Sequence, residues 1–499
     1  MSLRRHRTPV ASAAPMDRND VEIRVLSHAC MLARVGSTAV LIDPWLLGSC
    51  YWRSWWNFPE AVFDPDEIAR VDAVILSHLH WDHWHGPSIK RFVRDRPFII
   101  ADEPNRRSRD DLHRIGVRHV NTVRHGKTIE IGPGLRVTLY QFGLLNSDTA
   151  IVLELGAHRV LNANDAKIAG LPLRGIVARH GPFDIAMRSH SSANARACFR
   201  VEGETVSLDE PLHYARSFKL FMDAVRPRYA VPFASNHCYL HRDTERFNEI
   251  AVNPLRLRSQ LAAMGGLAHS ELIVMSPGST WNPARGFDLA DCSAFEDPQV
   301  YLAAYRERVR HKLEATYATE ANARVDGPVR SRLAAHLKRV PRWRRALLPA
   351  RTLGAEIHWP GGSRLYLEID VRAASVREVT AADADIWAAR MRWPAAVFAD
   401  VVMKCMYSQG LISKRFEFVG KDAASLAALI RTYGVLGDVE SQVYPLRLRY
   451  LARTVGSYAR RWREVIVYMQ AAWHIFVRRV PGYQVEELVL RSSSTSVSR

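Results

Sequence analysis

Cysteine is sparse and unpatterned: Cys30, Cys50, Cys198, Cys238, Cys292 and Cys405 lie far apart and form no CxxC pair. That excludes a disulfide framework, a structural zinc knuckle and an iron–sulfur cluster, and it fits a reducing cytoplasm. Long hydrophobic runs are also missing. Stretches such as Ala73-Val74-Ile75-Leu76 and Val465-Ile466-Val467-Tyr468 fall well short of the roughly 20 apolar residues that span a bilayer, so no membrane span is expected. Acidic residues are in deficit, 51 Asp+Glu against 69 Lys+Arg, leaving a formal charge of +18. This balance favours an anionic partner, either a small molecule or a carrier-protein-bound substrate. The basic runs around Lys338–Arg345 and Arg460–Arg463 read as solvated faces rather than a nucleic-acid groove.

The chain has 499 residues and 47% hydrophobic residues, more than one compact core normally uses, so two or more domains are expected. Residues 1–19 read as a disordered leader. Residues 20–290 alternate short β-branched strands (Val21 to Leu26, Ala39 to Ile42, Ala73 to Leu76, Phe98 to Ile100, Arg136 to Gln141, Thr149 to Leu155) with amphipathic helices at Pro87 to Arg94 and Asn105 to Ile115, the pattern of a layered α/β domain. Residues 291–350 read as a helical, basic linker. Residues 351–485 read as an α+β domain with a hairpin around Gly361-Gly362 and largely helical segments at Ala381 to Leu411 and Ala423 to Phe476. Residues 486–499, rich in serine, read as a disordered tail.

The run Leu76-Ser77-His78-Leu79-His80-Trp81-Asp82-His83 directly follows an apolar strand, so its side chains leave the sheet edge where α/β folds place their sites. On a turning loop, His78 and His80 can point to one metal while Asp82 and His83 turn toward a second. Asp165 closes the strand His158 to Asn162, where a carboxylate could bridge the two, and His237 follows the strand Tyr229 to Pro232. Asp165 as a helix cap and His237 as loop cover are the competing readings.

This arrangement resembles the metallo-β-lactamase superfamily. The resemblance implies a metallo-β-lactamase-type αββα sandwich, Asp165 as its bridging carboxylate, His237 as its last-strand histidine and two divalent metal ions, iron preferred, with zinc or manganese as alternatives. Ser27-His28-Ala29 and Leu41-Ile42-Asp43-Pro44-Trp45-Leu46 resemble its opening hairpin, in which the Asp43 position orients ligands and His28 is structural or supports them. Within the superfamily, the segments 43–60, 77–92, 148–152 and 226–234 resemble the catalytic region of the CMP-N-acetylneuraminate hydroxylase family, which are oxygenases. Two features depart from those patterns. Residues 142–148 lack the usual third histidine for the first metal, which leaves Asp148 as its substitute, and no CxH and CxxH pair exists to hold a Rieske cluster, so electrons would come from an external reductase.

Asp82 and His83 are the expected catalytic centre. Arg53, Trp55 and Trp56, from an aromatic-dense stretch just before the metal loop, and His190, on a loop after the strand Asp184 to Met187, are the expected substrate contacts. Residues 351–485 also resemble the sterol-carrier-type fold. Three functions stay open: a di-iron oxygenase acting on a polar or carrier-bound substrate, a zinc- or manganese-dependent hydrolase of an ester, thioester, amide or phosphodiester, and a binding protein without catalysis.

Overall fold

The computed structural model describes residues 20–143, 148–191, 195–203, 212–480 and 482–494. The leader 1–19 and the last five residues of the expected tail lie outside them.

Two sheets face each other across an apolar layer. One has eight strands in the order Gly286–Asp288, Thr280–Asn282, Val21–Val25, Met31–Val35, Thr38–Ile42, Ala73–Ile75, Phe98–Ala101 and Val120–Val123; the other has seven, in the order Glu271–Leu272, Tyr229–Pro232, Ile185–Arg188, His158–Asn164, Asp148–Leu155, Leu135–Phe142 and Thr128–Gly132. Side chains alternate across each strand. Val40 and Ile42 meet Ile151, Leu153 and Val160 between the sheets, whereas Leu41 and Val74 turn outward onto Ile68, Ile89, Val93 and Leu112. On the far side Val152 and Leu161 turn outward onto Leu173, Ile176, Phe218 and Phe221 of the helices Gly170–His180 and His213–Val225. Because both faces of both sheets are covered, the central strands are apolar on both sides, and the architecture is helix, sheet, sheet, helix.

The region after 290 is woven into this sandwich rather than tethered to it. The helix Pro298–Ala321 buries Tyr305, Val309 and Leu313 against Trp56, Phe58 and Leu240. At its C-terminal end Glu320 takes two hydrogen bonds from the buried Arg415, at 2.5 and 2.8 Å. A six-stranded sheet follows, in the order Phe199–Val201, Glu417–Gly420, Ala389–Pro394, Thr352–His358, Arg364–Asp370 and Ser375–Val379. Its edge strand therefore comes from the first region, where Phe199 stacks on Phe418 with centroids 5.7 Å apart, and the expected boundary is crossed. The interior of this unit is packed with Trp393, Phe416, Phe418, Tyr407 and Tyr433.

Three expectations change. Ala389–Pro394 is a strand inside the stretch expected to be largely helical, because Met391 and Trp393 alternate with Arg390 and Arg392, a period of two; helix lies on either side of it, at Ala381–Asp385 and again from Ala395, after Pro394. Residues 448–477 are helical as expected but return to the sandwich, where Trp462–Ala472 packs on Gly170–His180. Gly482–Ser494 is a helix packed on His213–Val225, where a disordered tail was expected. Val485, Val489 and Leu490 supply the apolar face that orders it, and Glu486 and Glu487 pair with Arg188 and His213. No described helix is long and apolar enough to cross a membrane.

Candidate metal centre

The site forms where strands of both sheets end. Ile42 and Ile75 are parallel neighbours, so Asp43, one residue past the first strand, and Ser77, two residues past the second, come side by side. Asp43 Oδ1 accepts from the backbone N–H of Ser77 at 2.8 Å, and Oδ2 accepts from the Ser77 hydroxyl at 2.6 Å and lies 2.8 Å from His83 Nδ1. The backbone of Asp43 is left-handed (φ 47°), and so is that of Asn164 (φ 34°), which turns Asp165 in from the opposite sheet. Each such residue costs roughly 1–2 kcal/mol.

The donors fall into two groups. His28, Asp82 and His83 form one and His78, His80 and Asp165 the other, with their ligand atoms all within 4.8 Å of one another inside each group. His28 Nε2 lies 3.1 Å from Asp82 Oδ2, and His78 Nε2 faces His80 Nδ1 at 2.8 Å. Asp165 links the groups, because its Oδ2 also stands 3.2 Å from His83 Nε2. The donor set suits divalent cations in two respects. Carboxylates converge here with imidazoles, and Asp148, 3.9 Å from His78 Nε2, is pushed up to about 8 by desolvation and by neighbouring Asp165, a crowding that a cation would relieve. Burial also pushes His78 well down, keeping it in the neutral form that ligates metal. His83 is held well up, because Asp82, Asp43 and Asp165 outweigh its burial.

His28, expected to be structural or to support the ligands, comes into one of the two donor groups, because the hairpin of Val21–Val25 and Met31–Val35 carries it to Asp82. His237 lies outside both groups. Its ring stacks on Trp55 at 3.8 Å, its Nε2 meets the Tyr239 hydroxyl at 3.1 Å, and its centroid is 5.3 Å from that of His28.

Tyr51 closes the centre from one side: its hydroxyl donates to Asp82 Oδ1 at 2.5 Å and accepts from the Trp81 backbone at 2.9 Å, while its ring stacks on Trp81. Tyr51, Trp52 and Arg53 are consecutively left-handed, a strained turn held in place by this contact. Replacing Tyr51 by phenylalanine is expected to weaken metal binding roughly 10-fold in a chelator competition assay and to cost about 1.5–3 kcal/mol of stability; unchanged affinity would reduce Tyr51 to packing.

Behind Tyr51 and Trp81 lies a cavity of about 1210 Å³, lined also by Trp52, Arg53, His311 and Lys312. Of the four expected substrate contacts, Arg53 alone lines it. Trp55 is buried under His237, Trp56 packs on Tyr305, and His190 has no exposed surface. Strand pairing explains the tryptophans: Trp55–Asn57 runs antiparallel to His237–Tyr239, so neighbouring side chains point to opposite faces.

Residues 22–188 match the family model described as the beta-lactamase superfamily domain. This region is a metallo-β-lactamase domain. A stretch of 160 residues is 31% identical to the cytidine monophosphate-N-acetylneuraminic acid hydroxylase of Macaca mulatta, covering 31% of this chain and 27% of that protein; the Mus musculus hydroxylase is 30% identical over 152 residues, covering 29% and 26%. The matched part thus spans about a quarter of those relatives. Among solved structures, the metallo-β-lactamase region is similar to Igni18, a metallo hydrolase from Ignicoccus hospitalis (17% identity, TM-score 0.35, 53% of this chain and 98% of that one). It is also similar to CmlA, a diiron β-hydroxylase from Streptomyces venezuelae (19% identity, TM-score 0.36, 54% and 55%).

Proposed function

We propose that this protein is a dinuclear-metal oxygenase that hydroxylates a polar or carrier-bound anionic substrate with electrons from an external reductase. The observation that carries this reading is the composition of the two donor groups, each of two histidines and one carboxylate, a set suited to non-haem iron. The hydroxylases that share 31% identity with part of the chain support it. His28, Asp82 and His83 on one side and His78, His80 and Asp165 on the other would hold the iron that would supply the dioxygen chemistry, with Asp148 beside His78 in the place of a third histidine.

The chain's own residues do the rest. Asp43 fixes the His83 ring through Nδ1, leaving Nε2 to face Asp165. Tyr51 and Trp81 stand between Asp82 and the cavity, where Arg53, Lys312 and Arg324, beside Glu320 and Asp400, offer cationic contacts for an anionic group. Hydrolysis by zinc or manganese in the same residues is the second reading, and it rests on the metallo-β-lactamase core.

The test is to purify the protein from iron-replete cells, quantify its metals and follow oxygen uptake with a chemical reductant. Bound iron with reductant-dependent uptake is expected. Stoichiometric zinc with oxygen-independent hydrolysis would overturn the oxygenase in favour of the hydrolase, and protein that resists reconstitution with any metal would overturn both.

A further inference from the structure

The helices Leu448–Arg460 and Trp462–Ala472, the second continued by the turn Trp473–Val477, are built inside out. In the first, Leu448, Leu451 and Val455 recur on one helical face, and that face is in solvent, with Leu448 88% exposed. In the second, Trp462, Met469, Trp473 and Phe476 repeat the pattern, with Phe476 75% exposed. Much of the inward attachment is polar. Arg453 donates to Asp102 Oδ1 at 2.9 Å and to the carbonyl of Glu103 at 2.8 Å; Arg461 donates to Glu464 and to the carbonyl of Gly143, and Glu464 accepts from the Gly143 N–H at 2.7 Å. Val467 reaches the core, yet most of the large apolar surface of the pair stays outside. A stripe of this size left in water marks an interaction site.

Charge identifies what covers it. Arg447, Arg449, Arg460, Arg463, Arg478 and Arg479 are all exposed around these stripes. The single acid between residues 446 and 480 is Glu464, which is buried and paired with Arg461. An apolar face carrying Trp462, Trp473 and Phe476, fringed by arginine alone, is complementary to acyl chains beneath anionic headgroups: the rings sit at the boundary, and the guanidinium groups reach the phosphates. We propose that residues 446–480 dock this protein on the surface of a bilayer rich in anionic lipid, lying on the membrane without crossing it. Each arginine near such a surface adds to binding, and salt screens the contribution. The Arg461–Glu464 pair ties the docking helices to Gly143, directly after the sandwich strand Leu135–Phe142.

The full-length protein should cosediment with vesicles of phosphatidylcholine and phosphatidylglycerol, and not with phosphatidylcholine alone, with binding falling at least roughly 10-fold between low and high salt. The double variant Trp473→Ser, Phe476→Ser should lose binding by a similar factor, and Arg478→Gln, Arg479→Gln should lose the preference for the anionic vesicles. Both should keep the wild-type circular dichroism and metal content. Failure to sediment with the anionic vesicles, or undiminished binding of the serine variant, would overturn the proposal. A salt-resistant dimer that the serine variant converts to monomer would overturn it too, assigning the face to a second copy of the chain. None of these outcomes bears on the oxygenase reading.

Discussion

Asp165→Ala is expected to strip the protein of at least one metal ion and to abolish reductant-dependent oxygen uptake while leaving the fold intact. Asp165 is the one carboxylate placed in both halves of the centre, grouped with His78 and His80 and 3.2 Å from His83 Nε2. Its removal takes a shared anionic donor from between two cations, which should cost more than the 10–100-fold in affinity typical of residues that only orient ligands, so at least roughly 100-fold is expected. The loop does not depend on this carboxylate for its shape. Asn164 Oδ1 accepts from the Asp165 N–H at 2.6 Å, and Asn164 Nδ2 donates to the carbonyl of Thr149 at 3.1 Å, contacts that survive the substitution. The measurement is metal content by elemental analysis together with thermal melting with and without added iron. Wild-type protein should be stabilised by metal through linkage, whereas the variant's melting temperature should no longer respond. Full metal content in the variant would remove Asp165 from the centre and with it the two-group arrangement.

Local pattern made part of this legible in the sequence. The strands at Thr38–Ile42, Ala73–Ile75, Phe98–Ala101 and Asp148–Leu155 are short β-branched runs, and the loop from Ser77 to His83 concentrates four donors within six residues directly after one of them. What local pattern does not carry is pairing at long range. His28 reaches Asp82 across 54 positions because a hairpin and a parallel strand intervene. The aromatic density at 51–58 identifies a special segment, but the antiparallel register with His237–Tyr239 decides that Trp55 lies under His237 and Trp56 in the core on Tyr305. The same limit applies beyond residue 290. Helices there have readable periodicity, yet the sequence does not tell that Phe199–Val201 becomes an edge strand of the later sheet or that Gly482–Ser494 returns to cover His213–Val225. Ion pairs such as Arg188 with Glu486, separated by 298 positions, fix that return.

Asp43 is where the second large effect is expected, and it separates metal positioning from packing. The residue is fully buried, accepts both donors of Ser77 and faces His83 Nδ1. Asp43→Ala leaves the buried Ser77 N–H without a partner and takes the carboxylate from the Ser77 hydroxyl and His83 Nδ1, which keep only the contact with each other and that of the hydroxyl with His78 Nδ1; removing one member of a buried charged cluster costs about 3–5 kcal/mol, and a loss of that order is expected together with loss of metal. Asp43→Asn is the sharper experiment because it keeps the volume. An amide has one accepting oxygen where the carboxylate has two: if it accepts from the Ser77 N–H, the NH2 group faces the Ser77 hydroxyl and His83 Nδ1 and favours the tautomer that protonates Nε2, the nitrogen needed for metal. If instead it serves His83, Ser77 faces a donor with its own N–H. Either arrangement breaks one contact, so the asparagine variant should fold, melt slightly below wild type and bind metal 10–100-fold more weakly in chelator competition. Wild-type affinity in Asp43→Asn, alongside a destabilised Asp43→Ala, would show that Asp43 holds the Ser77 turn and does not set the tautomer of His83.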